Sequence, residues 1–163
     1  MNDIYQTMDN EGRVVMSFPA SHYLYRWNPL TEKIDSVFMG SRYSQSIESS
    51  EENVLDLLKE KDVRIKYYIS QHSYSNIIHD PFRNLYYRIA RHPLPDWKGG
   101  TFRQPFSIIT MKEDGELISE TPVFEDYDNM NLWNVHVSKK GLLIQELTED
   151  ENSITFKIFT PVL

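Results

Sequence analysis

Residues 77–90, IIHDPFRNLYYRIA, carry the clearest fold signal in this chain. The pair Asp80-Pro81 is typical of a turn, because proline presets one backbone angle and aspartate can bond back to the main chain. After the turn, apolar side chains recur at every second position through Leu85, Tyr87 and Ile89. This repeat predicts a strand with those three residues buried on one face. The intervening residues are also largely apolar or aromatic, as in a strand covered on both sides.

Strands joined by tight turns are predicted around this stretch, in three zones over residues 13–40, 74–124 and 132–163. In the first zone Tyr23, Tyr25 and Trp27 occupy alternate positions. In the second, residues 112–115 separate two apolar runs, which predicts a hairpin with Gly115 at positive φ. Three zones of similar kind indicate an all-β fold of about three antiparallel, propeller-type blades, with a β-sandwich as the alternative.

One segment departs from the strand pattern. Ser49 and Glu52 have the spacing of a capping box, in which each side chain accepts a hydrogen bond from a free main-chain amide at the start of a helix. Apolar residues then follow at helical spacing from Val54 to Leu58. We therefore expect one short helix that ends before Asp62, in a single domain that spans residues 1–163.

The composition narrows the range of partners. The chain has 163 residues and a formal net charge of −7. Such a surface repels phosphate backbones and no basic run offsets it, so we expect no nucleic-acid partner. No stretch approaches the roughly 18 apolar residues of a membrane span, and the first residues lack the basic and apolar regions of a signal peptide. The absence of cysteine excludes disulfides and thiolate chemistry.

The sequence lacks the common catalytic and phosphate-binding motifs. It has no G-x-S-x-G elbow, no H-E-x-x-H, no P-loop and no G-x-G-x-x-G. Three of the five histidines, His72, His79 and His92, fall in or next to the second zone, but their spacing matches no ligand motif. We expect no metal site, no cofactor and no catalytic residue.

The ligand-binding candidates are Tyr86, Arg88, His92 and Trp97. On a strand Tyr86, Arg88 and His92 point one way, and facing a pocket they could stack on a sugar or bind an anion. Trp97 lies in a Pro- and Gly-rich loop, where a large ring has more opportunity to meet a ligand. The favoured interpretation of the strand residues is nevertheless structural: tyrosines that pack between sheets, and arginines that pair with carboxylates.

Residues 74–89, YSNIIHDPFRNLYYRI, resemble a Y-x-x-I-x-x-D-x-x-x-x-x-Y-Y-R stretch of an uncharacterised family, DUF family 4221. The stretch PFSII at 105–109 and the ending from GLLI at 141–144 to ITF at 154–156 are similar to it as well. The resemblance is to a C-terminal half of that family. It implies a TolB-like six-bladed β-propeller and a lipoprotein of the Bacteroidales cell envelope, with no activity assigned.

The leading interpretation is a non-enzymatic binding or protein-interaction module of the bacterial cell envelope, with a glycan or a protein as ligand. Two alternatives stay open: a glycan-acting enzyme with its site at the blade tops, and a purely structural half-propeller. Three blades leave sheet flanks uncovered, so we also expect a homodimer with residues 154–159 at or near the interface.

Overall fold

The computed structural model describes residues 3–44, 60–94, 96 and 103–161. Its strands form three antiparallel sheets. The first sheet contains β1 (Tyr5–Met8), β2 (Val14–Ser17), β3 (Tyr23–Asn28) and β4 (Lys33–Phe38). The second contains β5 (Ser73–Asp80), β6 (Leu85–Arg91), β7 (Phe106–Lys112) and β8 (Leu117–Val123). The third contains β9 (Met130–Ser138), β10 (Gly141–Glu146) and β11 (Thr155–Phe159).

Each sheet is a meander in which consecutive strands are neighbours. The predicted all-β fold with three antiparallel units is therefore confirmed. Three sheets form instead of the two that a sandwich would have. Strand β1 was not predicted, because its residues lie before the first zone and lack a run of apolar side chains.

The second sheet lies between the other two, and two apolar clusters hold the stack together. One cluster joins its Tyr74, Tyr86 and Ile109 to Val15 and Leu24 of the first sheet. The other cluster contains Leu85, Tyr87, Ile89 and Phe106 of the second sheet, and Met130, Leu142 and Ile144 from the third-sheet strands. Leu85, Tyr87 and Ile89 are all buried on one face, as predicted. Because successive side chains of β6 point to opposite faces, this strand contributes buried residues to both faces of the central sheet.

The first strands of the three sheets meet. Strand β5 contacts both β1 and β9. The main-chain amide of His79 donates to Thr7 Oγ1 at 3.3 Å, and Asn76 Nδ2 donates to the carbonyl of Leu132 at 2.9 Å. Asn76 sits at a bulge in β5 with a φ of +35°, which turns its side chain out of the regular ladder. One strand from each sheet therefore faces a common axis.

The hairpin between β7 and β8 turns where the sequence predicted. Gly115 has a φ of +100°, and its amide donates to the carbonyl of Lys112 at 3.0 Å. A Cβ atom at this position would lie 2.9 Å from Val37 Cγ2 of the first sheet. Both the backbone angle and the neighbouring side chain therefore require glycine.

The predicted helix from Ser49 to before Asp62 falls almost entirely on residues outside the described ranges. A helix that was not predicted, α1, covers Lys61–Ile69, and the extended backbone of Glu60 precedes it. Of its side chains only Ile69 is buried, so the sequence shows no apolar stripe to reveal it. Contacts from distant residues fix its end: Leu94 N and Gln104 Nε2 both donate to the carbonyl of Ile69, at 2.7 and 2.9 Å.

Candidate ligand site

Arg88 is fully buried and serves as a clamp between the first two sheets. Its Nε donates to Ser17 Oγ at 2.9 Å, and its Nη1 donates to the carbonyl of Met39 at 2.9 Å. Its Nη2 donates to the carbonyls of Phe18 and Ser21, at 3.3 and 2.6 Å. The guanidinium carbon also lies 3.7 Å from the centre of the Tyr74 ring. Burial lowers the pKa of Arg88 to about 9. Its partners are carbonyls, a hydroxyl and a ring, where the sequence interpretation expected carboxylates.

Tyr86 is likewise enclosed, and it holds a buried carboxylate. Its hydroxyl donates to Asp9 Oδ2 at 2.7 Å, and Arg13 Nε donates to the same oxygen at 2.7 Å. The main-chain amides of Glu11 and Arg13 donate to Asp9 Oδ1. Burial disfavours the charged form of Asp9, but these hydrogen bonds outweigh it, and the pKa of Asp9 is lowered. The tyrosine therefore joins the central sheet to the first hairpin.

His92 belongs to a buried polar chain at the same interface between sheets. Its Nε2 lies 3.1 Å from Ser107 Oγ, and the Ser107 hydroxyl donates to Glu120. The same carboxylate accepts from Ser41 Oγ and from the amide of Arg42. In a catalytic triad the serine gives its proton to histidine, and the acid bonds to the other ring nitrogen. Here the serine donates to the acid instead. These hydrogen bonds therefore hold the Glu120 carboxylate in place and do not activate Ser107.

The predicted candidates do not meet at an open surface. Tyr86 and Arg88 lie together inside the interface between the first two sheets, and His92 is buried among polar and aromatic side chains. Trp97 lies outside the described residues. Burial between sheets, the favoured interpretation for the tyrosines, is confirmed for Tyr86 and Tyr87.

A cavity of about 510 Å³ lies beneath α1, at the end of the axis where the first strands meet. Its walls include Tyr5 of β1, residues 73–75 of β5 and Trp133 of β9. Residues 64, 65 and 67–69 of α1 form another wall. Each sheet thus contributes its first strand to one cavity. A concave space with aromatic walls and a few polar groups has the usual form of a small-molecule site.

Arg91 supplies the charge in this cavity. Its Nε donates to Ser75 Oγ at 3.1 Å, and within the described part of the chain its two Nη groups have no hydrogen-bond partner. Burial lowers the pKa of Arg91, which reflects the cost of holding a cation there without a counterion. A guanidinium with two unused donors matches a carboxylate or another oxyanion in a two-pronged geometry.

The rest of the lining reinforces that charge. Among the described residues that line the cavity, Lys61, Arg64 and Arg91 are cations and none is a carboxylate. This balance is notable in a chain with 24 acidic and 17 basic side chains. The described part of the lining therefore carries a net positive formal charge, although the protein as a whole is acidic.

A second, larger cleft of about 920 Å³ has the opposite character. Arg13, Arg26, Arg83 and Lys112 line it, but each has a carboxylate partner, respectively Asp9, Asp35, Asp80 and Glu116. Its cations are paired within the protein, so the cleft offers no unpaired cation to an anionic ligand.

In the described ranges no three His, Asp or Glu side chains lie close enough to one another to hold a metal ion. The described helix is also too short and too polar to cross a membrane.

Arg91 and its cavity were not found from the sequence. The alternation of side chains in β6 places Arg91 on the face opposite Tyr86 and Arg88. It gave no reason to choose Arg91 over Arg88 as a ligand candidate. One usable signal was its position at the last residue of β6, where a charged side chain can reach the end of a sheet.

The sequence matches the family described as "Domain of unknown function (DUF4221)" over residues 2–122. The chain belongs to the DUF4221 family. The resemblance carried by residues 74–89 is therefore confirmed. The ending from residue 141 onward lies outside the matched range.

One solved structure is similar to this DUF4221 chain, a crystal structure of a DUF4221 family member from Bacteroides vulgatus ATCC 8482 at 1.75 Å resolution. The two share 23% identity with a TM-score of 0.77, which supports the fold. The match covers 97% of this chain and 46% of the other, so the chain spans less than half of that relative's length. No curated protein matches this DUF4221 chain.

Proposed function

We propose that this DUF4221 chain is a non-enzymatic binding module, and that the cavity beneath α1 holds a small organic anion. The observation that carries the proposal is the Arg91 guanidinium, which is anchored through Nε and has both Nη groups unpaired among the described residues. Arg91 is half-buried, so a ligand in the cavity can reach its guanidinium. A ligand carboxylate would bind both Nη groups in a two-pronged, charge-assisted pair.

The walls of the cavity favour a ligand that also has a ring. Tyr5 and Trp133 stand on two different strands around the same space, and aromatic faces stack on sugar rings. Ser73 and Gln71 add polar groups at its margin. We therefore propose an acidic saccharide as the ligand class, because one such molecule satisfies both the guanidinium and the rings.

Binding accounts for this lining better than catalysis does. Glycoside hydrolysis uses two carboxyl groups that flank the scissile bond, and the described lining contains none. The enzyme alternative would need acids from elsewhere.

We also propose that the three sheets are consecutive blades of a β-propeller, and that the protein works in the bacterial cell envelope. The first idea is supported by the meeting of the first strands, and the second by the earlier family resemblance.

Calorimetric titration with glucuronate tests the ligand proposal, and glucose serves as the uncharged control sugar. We expect glucuronate to bind and glucose to bind at least about 10-fold more weakly, since a charge-assisted pair contributes about 1.5 to 3 kcal/mol. Arg91→Gln should weaken glucuronate binding by about 10- to 100-fold for the same reason.

The matched control is Arg26→Gln. Arg26 lines the second cleft and is paired with Asp35 at 2.7 Å, so its loss should leave glucuronate affinity unchanged. Equal affinity for glucuronate and glucose, or an unchanged affinity in Arg91→Gln, would refute the anion site. Thermal melting of both variants confirms that they fold.

A further inference from the structure

The outer face of the first sheet, on the side away from the second sheet, is almost entirely apolar. The register of the sheet places Met8, Val14, Trp27 and Ile34 in one cross-strand row. A second row contains Gln6, Met16, Tyr25 and Ser36, and Tyr23 pairs with Phe38 in a third. None of these ten residues is charged.

This face is exposed in the single chain. Ile34 is 64% exposed and Met8 is 62% exposed, and Phe38, Tyr23 and Trp27 are exposed as well. A sheet face that meets water normally carries polar side chains. In this sheet the Arg26–Asp35 ion pair belongs to the other face, so the usual distribution is reversed. A contiguous apolar surface of this kind marks an interaction site.

The outer face of the third sheet also lacks formal charge in its paired rows. His136, Leu143 and Ile158 share one row, and Asn131, Gln145 and Phe156 share the next, where the side-chain amide of Asn131 donates to Gln145 Oε1 at 2.9 Å. Leu143 and Phe156 are half-buried, and Ile158 is 44% exposed. Two such faces can pack without removing a charge from water.

We propose that the outer face of the first sheet packs on the outer face of the third sheet of a second copy of this chain. The second sheet already uses this kind of contact on both of its sides, since apolar clusters join it to its two neighbours. A twofold axis would form the new contact twice and cover all four outer faces. The assembly would then contain six stacked sheets and no uncovered flank.

The length of the similar structure agrees with this arrangement. Its chain is more than twice as long as the region matched here, which leaves room for a second set of sheets in one polypeptide. A pair of short chains would reach a comparable size. The proposal is independent of the ligand cavity, because none of the ten first-sheet residues lines that cavity.

Sedimentation velocity of the purified chain over a range of micromolar concentrations provides the test. We expect a dimer that becomes a monomer in Ile34→Lys and also in Ile158→Glu, because either change buries an unpaired charge at both contacts. Leu30→Glu is the control: Leu30 is 89% exposed in the turn after β3, outside both faces, and the dimer should persist.

Mixing the two variants separates an interface effect from a folding defect. An Ile34→Lys copy and an Ile158→Glu copy would place opposite charges in one contact and leave the other contact native. We expect the mixture to form a dimer although each variant alone is monomeric. A monomeric wild-type chain at all concentrations would overturn the proposal, as would loss of the dimer in Leu30→Glu to the same extent as in Ile34→Lys.

Discussion

Replacement of Arg88 by methionine tests how the first two sheets are joined. The side chain fills its space between the sheets and donates four hydrogen bonds. Methionine has a similar length and keeps much of the apolar contact, but it donates nothing. Three main-chain carbonyls and the Ser17 hydroxyl would then lose a buried partner.

The expected loss in free energy of unfolding is about 3 to 5 kcal/mol. Each buried polar group left without a partner costs about 1 to 3 kcal/mol, although some of these acceptors will reach water as the interface relaxes. A domain of this size has a total stability of about 5 to 15 kcal/mol. Arg88→Met should therefore remove a large fraction of the stability and lower the urea midpoint clearly.

Urea unfolding followed by tryptophan fluorescence and circular dichroism measures the effect. Arg42→Met is the matched control, because the Arg42 side chain is 59% exposed beside Glu120 and surface pairs contribute at most about 1 kcal/mol. The reasoning would be refuted if Arg88→Met lost less than Arg42→Met or became more stable. Either result would mean that desolvation of a buried cation without a carboxylate outweighs its hydrogen bonds.

Three further predictions concern the central sheet and its margins. Gly115→Val should lower stability by more than about 1 kcal/mol, because of its positive φ and the nearby Val37 side chain; an unchanged melting temperature would contradict this. Tyr87→Ala should cost about 3 to 5 kcal/mol in urea unfolding, as for other buried aromatic residues; a loss below 1 kcal/mol would show that the site is not core. Burial and repulsion by His72 lower the pKa of His92 to about 4 from 6.5. The stability that its neutral form contributes should therefore be full above pH 6.5 and decrease by about 3 kcal/mol as the pH falls to 4. His92→Gln should remove this part of the pH dependence.

The strands were predictable because their signals are local. Alternation in β3 and β6 depends on neighbouring residues alone, as does the turn at Gly115, and each was found where it was expected. The position of β6 at the centre of the stack also followed from its sequence, since apolar residues on both faces require a sheet on each side.

The roles of Arg88 and Arg91 were not predictable, because they depend on distant parts of the chain. The two arginines stand three residues apart on β6. Arg88 meets acceptors 49 to 71 positions earlier, including Ser17, Phe18 and Met39, and these use all three of its nitrogens. Arg91 meets only Ser75 among the described residues. No pattern within β6 records this difference, so the sequence favoured as a ligand candidate the arginine that the fold had fully used.

In the described ranges the third sheet has three strands where the other two sheets have four, and this affects the order in which the molecule opens. Strand β11 pairs with β10 on one side, and among the described residues its other edge has no partner strand. The amides on that edge can exchange with solvent without any opening. The amides of β11 that face β10 are protected by hydrogen bonds to that one strand, whereas β6 and β7 are almost entirely buried and have a strand on each side. Local unfolding should therefore begin at β11 and reach the central sheet last.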